Sequence, residues 1–212
     1  MNLAIIGNGE MALELYSLII STKEKDKYEK IFFVDIEEDK ANNVISERDF
    51  FSVDRNESVI LIAMGEPFMR KKMAEKYSAL QYQMATYIHP MSYISSKVKI
   101  GKGTIVLPFV YIAQNVEIGE NTLVHAGAKI ENDCNIGKNN FISSNAFIGA
   151  KTNIGDNCFI GPSSAVRDNL KIGSNSIIGM GSVVTKLVES DSIYYGNPAI
   201  RVKENLRQKV FK

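Results

Sequence analysis

His125 stands in the segment TLVHAGAKIEND (122–133), seven residues ahead of the pair Asn132-Asp133. An imidazole takes up and releases a proton near neutral pH, a carboxylate orients such a ring, and an amide holds a substrate without titrating. Together these residue types suit a group transfer in which one proton must move. The chain has one other histidine, His89 in YIHP, which reads as a junction residue without a role. Two histidines do not make a three-histidine zinc site, so no metal is expected.

A second cluster opens the chain. GNGEMA (7–12) follows the apolar run LAIIG and precedes a helical pattern, approximating G-x-G-x-x-[GA] with Gly7, Asn8, Gly9, Glu10 and Met11. Glycines there let the backbone approach a phosphate at a helix N-terminus. They serve a tight strand-to-helix turn equally well, so the loop alone leaves both readings open. Asp35 ends KIFFVD, where a carboxylate can accept a ribose hydroxyl or a base N–H.

Two periodicities define the elements that carry these residues. From Ile94 to Val184 every sixth residue is Ile or Val, giving sixteen hexapeptides over residues 92–187. The position two before each aliphatic is mostly small, and the position after it is often glycine. A 3.6-residue helix cannot keep that register. A solenoid can, with one short strand and one turn per hexapeptide and three hexapeptides per coil. Phe109, Tyr111, Phe141 and Phe147 are expected to face outward on its flat sides, ready for side-by-side packing.

Residues 1–91 lack the repeat. Strands are expected at 3–7, 30–35, 58–65 and 84–88. One helical face is marked by Met11, Leu15, Leu18 and Ile19. A second is marked by Met69, Met73 and Tyr77 behind Pro67. Alternation of this kind implies a small Rossmann-like α/β domain with a parallel sheet. The expected organisation is thus 1–91 α/β, 92–187 solenoid and 188–212 a C-terminal extension.

A net charge of +1 gives no field for nucleic acid or an anionic membrane, and no apolar run approaches the roughly 20 residues that span a bilayer. The N-terminus lacks the pattern of a signal peptide, so a cytoplasmic protein is expected. Cys134 and Cys158 have no metal spacing and read as small core residues.

An α/β domain, hexapeptide coils, GMGSVVTK (179–186) and YYGNPAIRVK (194–203) together resemble the hexapeptide-repeat acyltransferases of the PglD/NeuD type over nearly the whole chain. Members acetylate nucleotide-linked amino sugars or sialic acids. The resemblance implies a left-handed parallel β-helix and a homotrimer with active sites between subunits. It implies acetyl-CoA as co-substrate, held at Asn145, Ala146, Ser163, Gly179, Gly181, Lys186 and Pro198. Arg201 and Lys203 stand as cations for its phosphates, whereas Arg207 and Lys209 beyond them read as a solvated terminus. It places a nucleotide-linked amino sugar at the GNGEMA loop, Asp35-Ile36 and Gly65-Glu66.

The family pattern is kept only in part. Glu10 and Met11 replace a glycine and a histidine, Ile36 replaces an acid, and Glu66 replaces an asparagine. Where the family has its histidine base and an acid, this chain has Asn132-Asp133. The slot seven residues earlier, often an amide, holds His125, as though histidine and amide were exchanged across one site. Asn145 replaces a glycine near the thioester.

Asparagine cannot accept a proton near neutrality, which favours an amine acceptor over a hydroxyl. A sugar amine with a pKa of about 8 is partly unprotonated and attacks unaided, whereas a hydroxyl without a base loses roughly 10²- to 10⁴-fold in rate. N-acetylation for surface glycan synthesis is the leading expectation, with His125 as base beside Asn132 and Asp133, or with no base at all. The alternatives are O-acetylation of a sialic-acid-like sugar, or a β-helix that binds nucleotide sugar without turnover.

Overall fold

The computed structural model describes residues 1–52, 55–206 and 209–210. Its first domain runs β1 (Asn2–Ile6), α1 (Glu10–Ile20), β2 (Ile31–Asp35), β3 (Val44–Ser46), α2 (Glu47–Phe50), β4 (Ser58–Ile62), α3 (Pro67–Ala79) and β5 (Gln83–Met84). The sheet is parallel in the order β3-β2-β1-β4-β5. Buried on both faces, its central strands are nearly continuous in Ile, Leu, Phe and Val.

Two differences from the expected strands have clear causes. The short strand Val44–Ser46 has too few apolar residues to announce itself, and it forms by pairing with β2. The expected strand at 84–88 is divided. Gln83–Met84 closes the α/β sheet, while Tyr87–Ile88 pairs with Ile105–Val106 and begins the solenoid ahead of residue 92.

Every expected hexapeptide forms a two-residue strand, from Tyr93–Ile94 to Val183–Val184, and each as far as Ala165–Val166 pairs in parallel with the strand 18 residues on. The strands stack as three sheets of a parallel β-helix, here termed the first, second and third faces, represented by Leu123–Val124, Lys129–Ile130 and Asn135–Ile136. The repeated aliphatics fill the axis, where each contributes roughly 1.5–3 kcal/mol of burial before chain entropy opposes it. Cys134 and Cys158 lie in this core, and burial pushes their thiols up to about 11 and about 12.

The small residue two before each aliphatic has a second task. Thr104, Thr122, Cys134 and Cys158 turn their hydroxyl or thiol to the carbonyl 15 residues on, at 3.0 to 3.2 Å. Each coil is thereby tied to the next at its corner. The following hairpin, Ser192–Gly196 with Ala199–Glu204, extends the first face beyond Ile177–Ile178.

The domains share one apolar cluster. Ala12, Leu15 and Ile19 of α1 pack with Leu123, Phe141 and Phe159, the outward residues of the first face. Phe141 was expected on an open side and is instead covered by α1, while Phe109, Tyr111 and Phe147 remain exposed.

A buried arginine joins the domains at the corner between the third and first faces. Arg70 of α3 is fully buried and donates to the carbonyls of Ile62, Met64 and Asn121 and to the Asn121 side chain. Burial lowers its pKa to about 9, so it stays charged at neutral pH. Below it Asn121, Asn139, Asn157, Asn175 and Asp191 form a ladder, each amide donating to the next side chain. The four asparagines and Asp191 have positive φ, which suits their short polar side chains.

Candidate active site

The GNGEMA loop leaves β1 and enters α1, with Gly9 in extended conformation as the helix N-cap. Gly7 to Met11, Asp35, Gly65 and Glu66 line one open cavity of about 430 Å³ at the carboxyl ends of β1, β2 and β4. Ile36 does not line it and is exposed, donating its backbone N–H to Asp35 at 2.7 Å. Glu66 accepts the Val210 N–H at 3.0 Å, so the chain's C-terminal part reaches this rim. Glu10 puts a carboxylate in the first turn of α1, where the helix dipole would otherwise favour a phosphate.

His125 lies at the corner between the first and second faces, directly after Leu123–Val124. Its Nδ1 is 2.8 Å from Ser144 Oγ, one coil on, and its Nε2 is 3.4 Å from Glu14 Oε2 of α1. The Phe141 ring covers one side, 5.8 Å away between centroids. An ionised carboxylate only accepts, so when the ring is neutral Glu14 selects the tautomer that carries its proton on Nε2. Nδ1 is then the lone pair, and Ser144 donates to it. Sequence reasoning missed both partners: Glu14 reads as an exposed helical position and Ser144 as an ordinary turn residue.

This corner also holds most of the residues expected at the cofactor. Asn145, Ser163 and Gly181 recur every 18 residues in one column below Gly127, all with positive φ. At Gly127 the carboxamide oxygen of Asn145 lies 2.3 Å from where a Cβ would stand, so Asn145 occupies the space that a side chain there would take. Gly179 is roofed by the Tyr195 ring, which a Cβ would strike, whereas the space at Gly181 is open. Ala146 is buried in the axis with its backbone N–H and C=O both bonded, and offers no side chain to a ligand. Ser143, between the Phe141 and Ser144 positions, buries a hydroxyl that has no partner among the described residues. An orphaned buried hydroxyl costs about 1–3 kcal/mol, a penalty proteins tend to keep where a ligand relieves it.

Asn132 and Asp133 occupy the next corner, between the second and third faces. Asn132 Oδ1 accepts from Gln114 N at 3.1 Å, and Asp133 Oδ1 from Asn115 Nδ2 at 2.9 Å. With Tyr93, Tyr111 and Ser95 they line a separate depression of about 390 Å³. Within one chain, therefore, His125 does not meet Asn132 or Asp133. Lys186 stands in the Asn132 column, three coils away and exposed. Pro198 is exposed in the final hairpin. Arg201 is turned to Glu189 at 3.4 Å and Glu204 at 3.8 Å, so a phosphate would have to compete for it. Arg207 lies outside the described residues. Among the described residues no group of three or more His, Cys, Asp or Glu is arranged to hold a metal, and no helix is long and apolar enough to cross a membrane.

The fold and corners define a class, an α/β domain joined to a hexapeptide β-helix. Residues 2–77 match the PglD N-terminal domain, and residues 115–150 and 151–186 match the bacterial transferase hexapeptide (six repeats). The chain thus joins a domain similar to the PglD N-terminal domain to hexapeptide repeats, and its fold is a small Rossmann-like domain followed by a left-handed parallel β-helix. No curated protein sequence matches it significantly. Solved structures do. The acetyltransferase domain of PglB from Neisseria gonorrhoeae FA1090 is 24% identical with a TM-score of 0.89, the match covering 95% of this chain and 99% of that one. WeeI from Acinetobacter baumannii AYE is 24% identical with a TM-score of 0.88, covering 95% and 100%. A histidine-to-alanine mutant of GDP-perosamine N-acetyl transferase from Caulobacter crescentus, in complex with CoA and GDP-perosamine, is 20% identical with a TM-score of 0.85, covering 96% and 98%.

Proposed function

We propose that this protein is an acetyl-CoA-dependent N-acetyltransferase acting on the amino group of a nucleotide-linked amino-deoxysugar. The observation that carries the reading is the path along α1. The helix begins at the nucleotide-loop cavity and, one turn later, presents Glu14 to His125 at the corner that also carries Asn145, Ser163 and Gly181. A sugar held from the cavity can thereby reach the same corner as a thioester. The similar structures support the chemistry: one PglB domain structure holds acetyl coenzyme A, and the perosamine transferase holds CoA with GDP-perosamine.

In this reading the substrate contacts are Gly7 to Met11, Asp35, Gly65 and Glu66, and the acyl donor follows the column from Asn145 to Gly181. The expected acetyl-CoA fits the corner on two features of the chain, the open space at Gly181 and the unpartnered Ser143 hydroxyl. The working unit is a cytoplasmic homotrimer serving surface glycan synthesis. Exposed Tyr93, Tyr111 and Phe147 on the second face supply apolar area for side-by-side packing, and a neighbour would bring its Asn132-Asp133 corner toward His125. O-acetylation is the second reading, favoured by one observation: His125 is held as a base would be, and a hydroxyl acceptor needs one.

The test is thiol release from acetyl-CoA with UDP-, dTDP- and GDP-linked 3-amino and 4-amino deoxysugars. Release with one of them, giving an alkali-stable acetamide, supports N-transfer; an alkali-labile ester from a hydroxyl sugar supports the second reading. CoA binding without release across both panels would overturn both.

A further inference from the structure

We infer that Glu14, His125 and Ser144 form a proton relay in which the Ser144 hydroxyl, not the imidazole, meets the acceptor. The inference rests on the transferase reading and assigns two residues to it from positions 111 and 19 residues from His125 along the chain.

Both ring nitrogens are already engaged. Nε2 faces Glu14 and Nδ1 faces Ser144, while Phe141 packs against the ring. An acceptor could touch the imidazole only by displacing one of these groups. Because Glu14 accepts and does not donate when ionised, the basic lone pair lies on Nδ1 and is aimed at the Ser144 hydroxyl. Ser144 is half-buried and directly precedes Asn145 in the cofactor column, and the unpartnered Ser143 hydroxyl lies beside it. The hydroxyl is thus the part of the array that borders the acyl corner.

The proton path balances. As the acceptor amine forms its C–N bond to the thioester carbonyl, its N–H proton passes to Ser144 Oγ while the Ser144 proton passes to His125 Nδ1. Glu14 offsets the imidazolium charge that forms. When the C–S bond breaks, the departing thiolate takes the proton back through the same hydroxyl, leaving amide and CoA thiol. Ser144 is the catalytic residue of this relay. Glu14 is a positioning residue, supplied by the nucleotide-binding domain of the same chain.

The experiment combines kinetics with ¹⁵N-histidine NMR on the full chain. The chain has two imidazoles, and the set of signals lost in His125→Ala assigns them. His125 is expected as the Nε2–H tautomer when neutral, and Glu14→Leu should shift its population toward the other form. Ser144→Ala should lower kcat by about 10²-fold with little change in the KM for acetyl-CoA, and Ser144→Thr should recover most of it. Glu14→Gln keeps an acceptor for Nε2–H and should lie between wild type and Glu14→Leu.

An Nδ1–H tautomer in the unaltered chain would overturn the relay whatever the activity. So would Ser144→Ala with kcat within about twofold of wild type, or an acetyl ester on Ser144 trapped without acceptor, which would make the serine a nucleophile. Failure of the unaltered chain to transfer acetyl to any acceptor strikes instead at the transferase reading, and is distinguished by the wild-type control.

Discussion

The corner holding His125 and the corner holding Asn132 share one backbone and differ in what stands opposite them. Both place an αL residue at the same step of the hexapeptide, Gly127 in one and Asp133 in the other. At the first, α1 lies against the face beside it, and Glu14 reaches across to the imidazole. At the second, Asn132 and Asp133 spend their acceptor atoms on Gln114 and Asn115 of the preceding coil. The difference teaches that the repeat itself does not locate chemistry. A corner becomes a candidate site when a second element supplies a charge, and the α/β domain supplies it at only one of these two.

Replacing each key residue tests that contrast. Should His125 act as base, His125→Ala lowers kcat by roughly 10²- to 10⁴-fold, while Asn132→Ala changes it less than tenfold. Equal losses at both corners would show that they work together across subunits. Retained kcat in His125→Ala, with a rate that rises only as the free amine titrates, would mean that the acceptor arrives neutral and needs no base.

Arg70 joins the domains at the remaining corner, so its loss separates architecture from chemistry. Arg70→Met orphans several buried carbonyls and should destabilise the chain by about 3 kcal/mol, read as a lower urea midpoint. A midpoint unchanged by the substitution would mean that the two domains are held together by apolar packing alone. The smallest effect is expected at the loop. Glu10→Ala removes a carboxylate from the first turn of α1 and should tighten nucleotide-sugar binding two- to fivefold, in line with about 0.3–1 kcal/mol for such a charge. A weaker complex would instead make Glu10 a direct contact to the sugar or base.

The solenoid was legible because its period is set by one buried residue in six. Its true first strand was not, although Ile88 keeps that register: YIHP carries no glycine, and MATYI reads as a single apolar run across a domain boundary. The loop cavity was legible because its residues cluster in short segments at strand ends. The partners of His125 were not, because nothing local distinguishes Glu14 on an exposed helix face, and its role depends on docking against a strand more than a hundred residues later. Arg70 in MRKKMAEK looks like any solvated cation; only the fold buries it. The sequence suggests histidine and amide exchanged across one site, yet a single chain holds the two at separate corners, since seven residues carry the backbone past one whole face.

The asparagine ladder gives the solenoid an electrical polarity. Each carboxamide points its oxygen toward Arg70 and its NH₂ toward Asp191, so the amide dipoles add head to tail, with a cation at the oxygen end and a carboxylate at the other. The column is therefore a ruler with matched terminals. An inserted coil of 18 residues bearing asparagine at the same step would lengthen it harmlessly. A coil lacking that residue would cut the current of dipoles and leave the two end charges to face unfinished halves. On this account the column fixes its terminals and not its length, ending at the α/β domain through Arg70 and just ahead of the closing hairpin at Asp191.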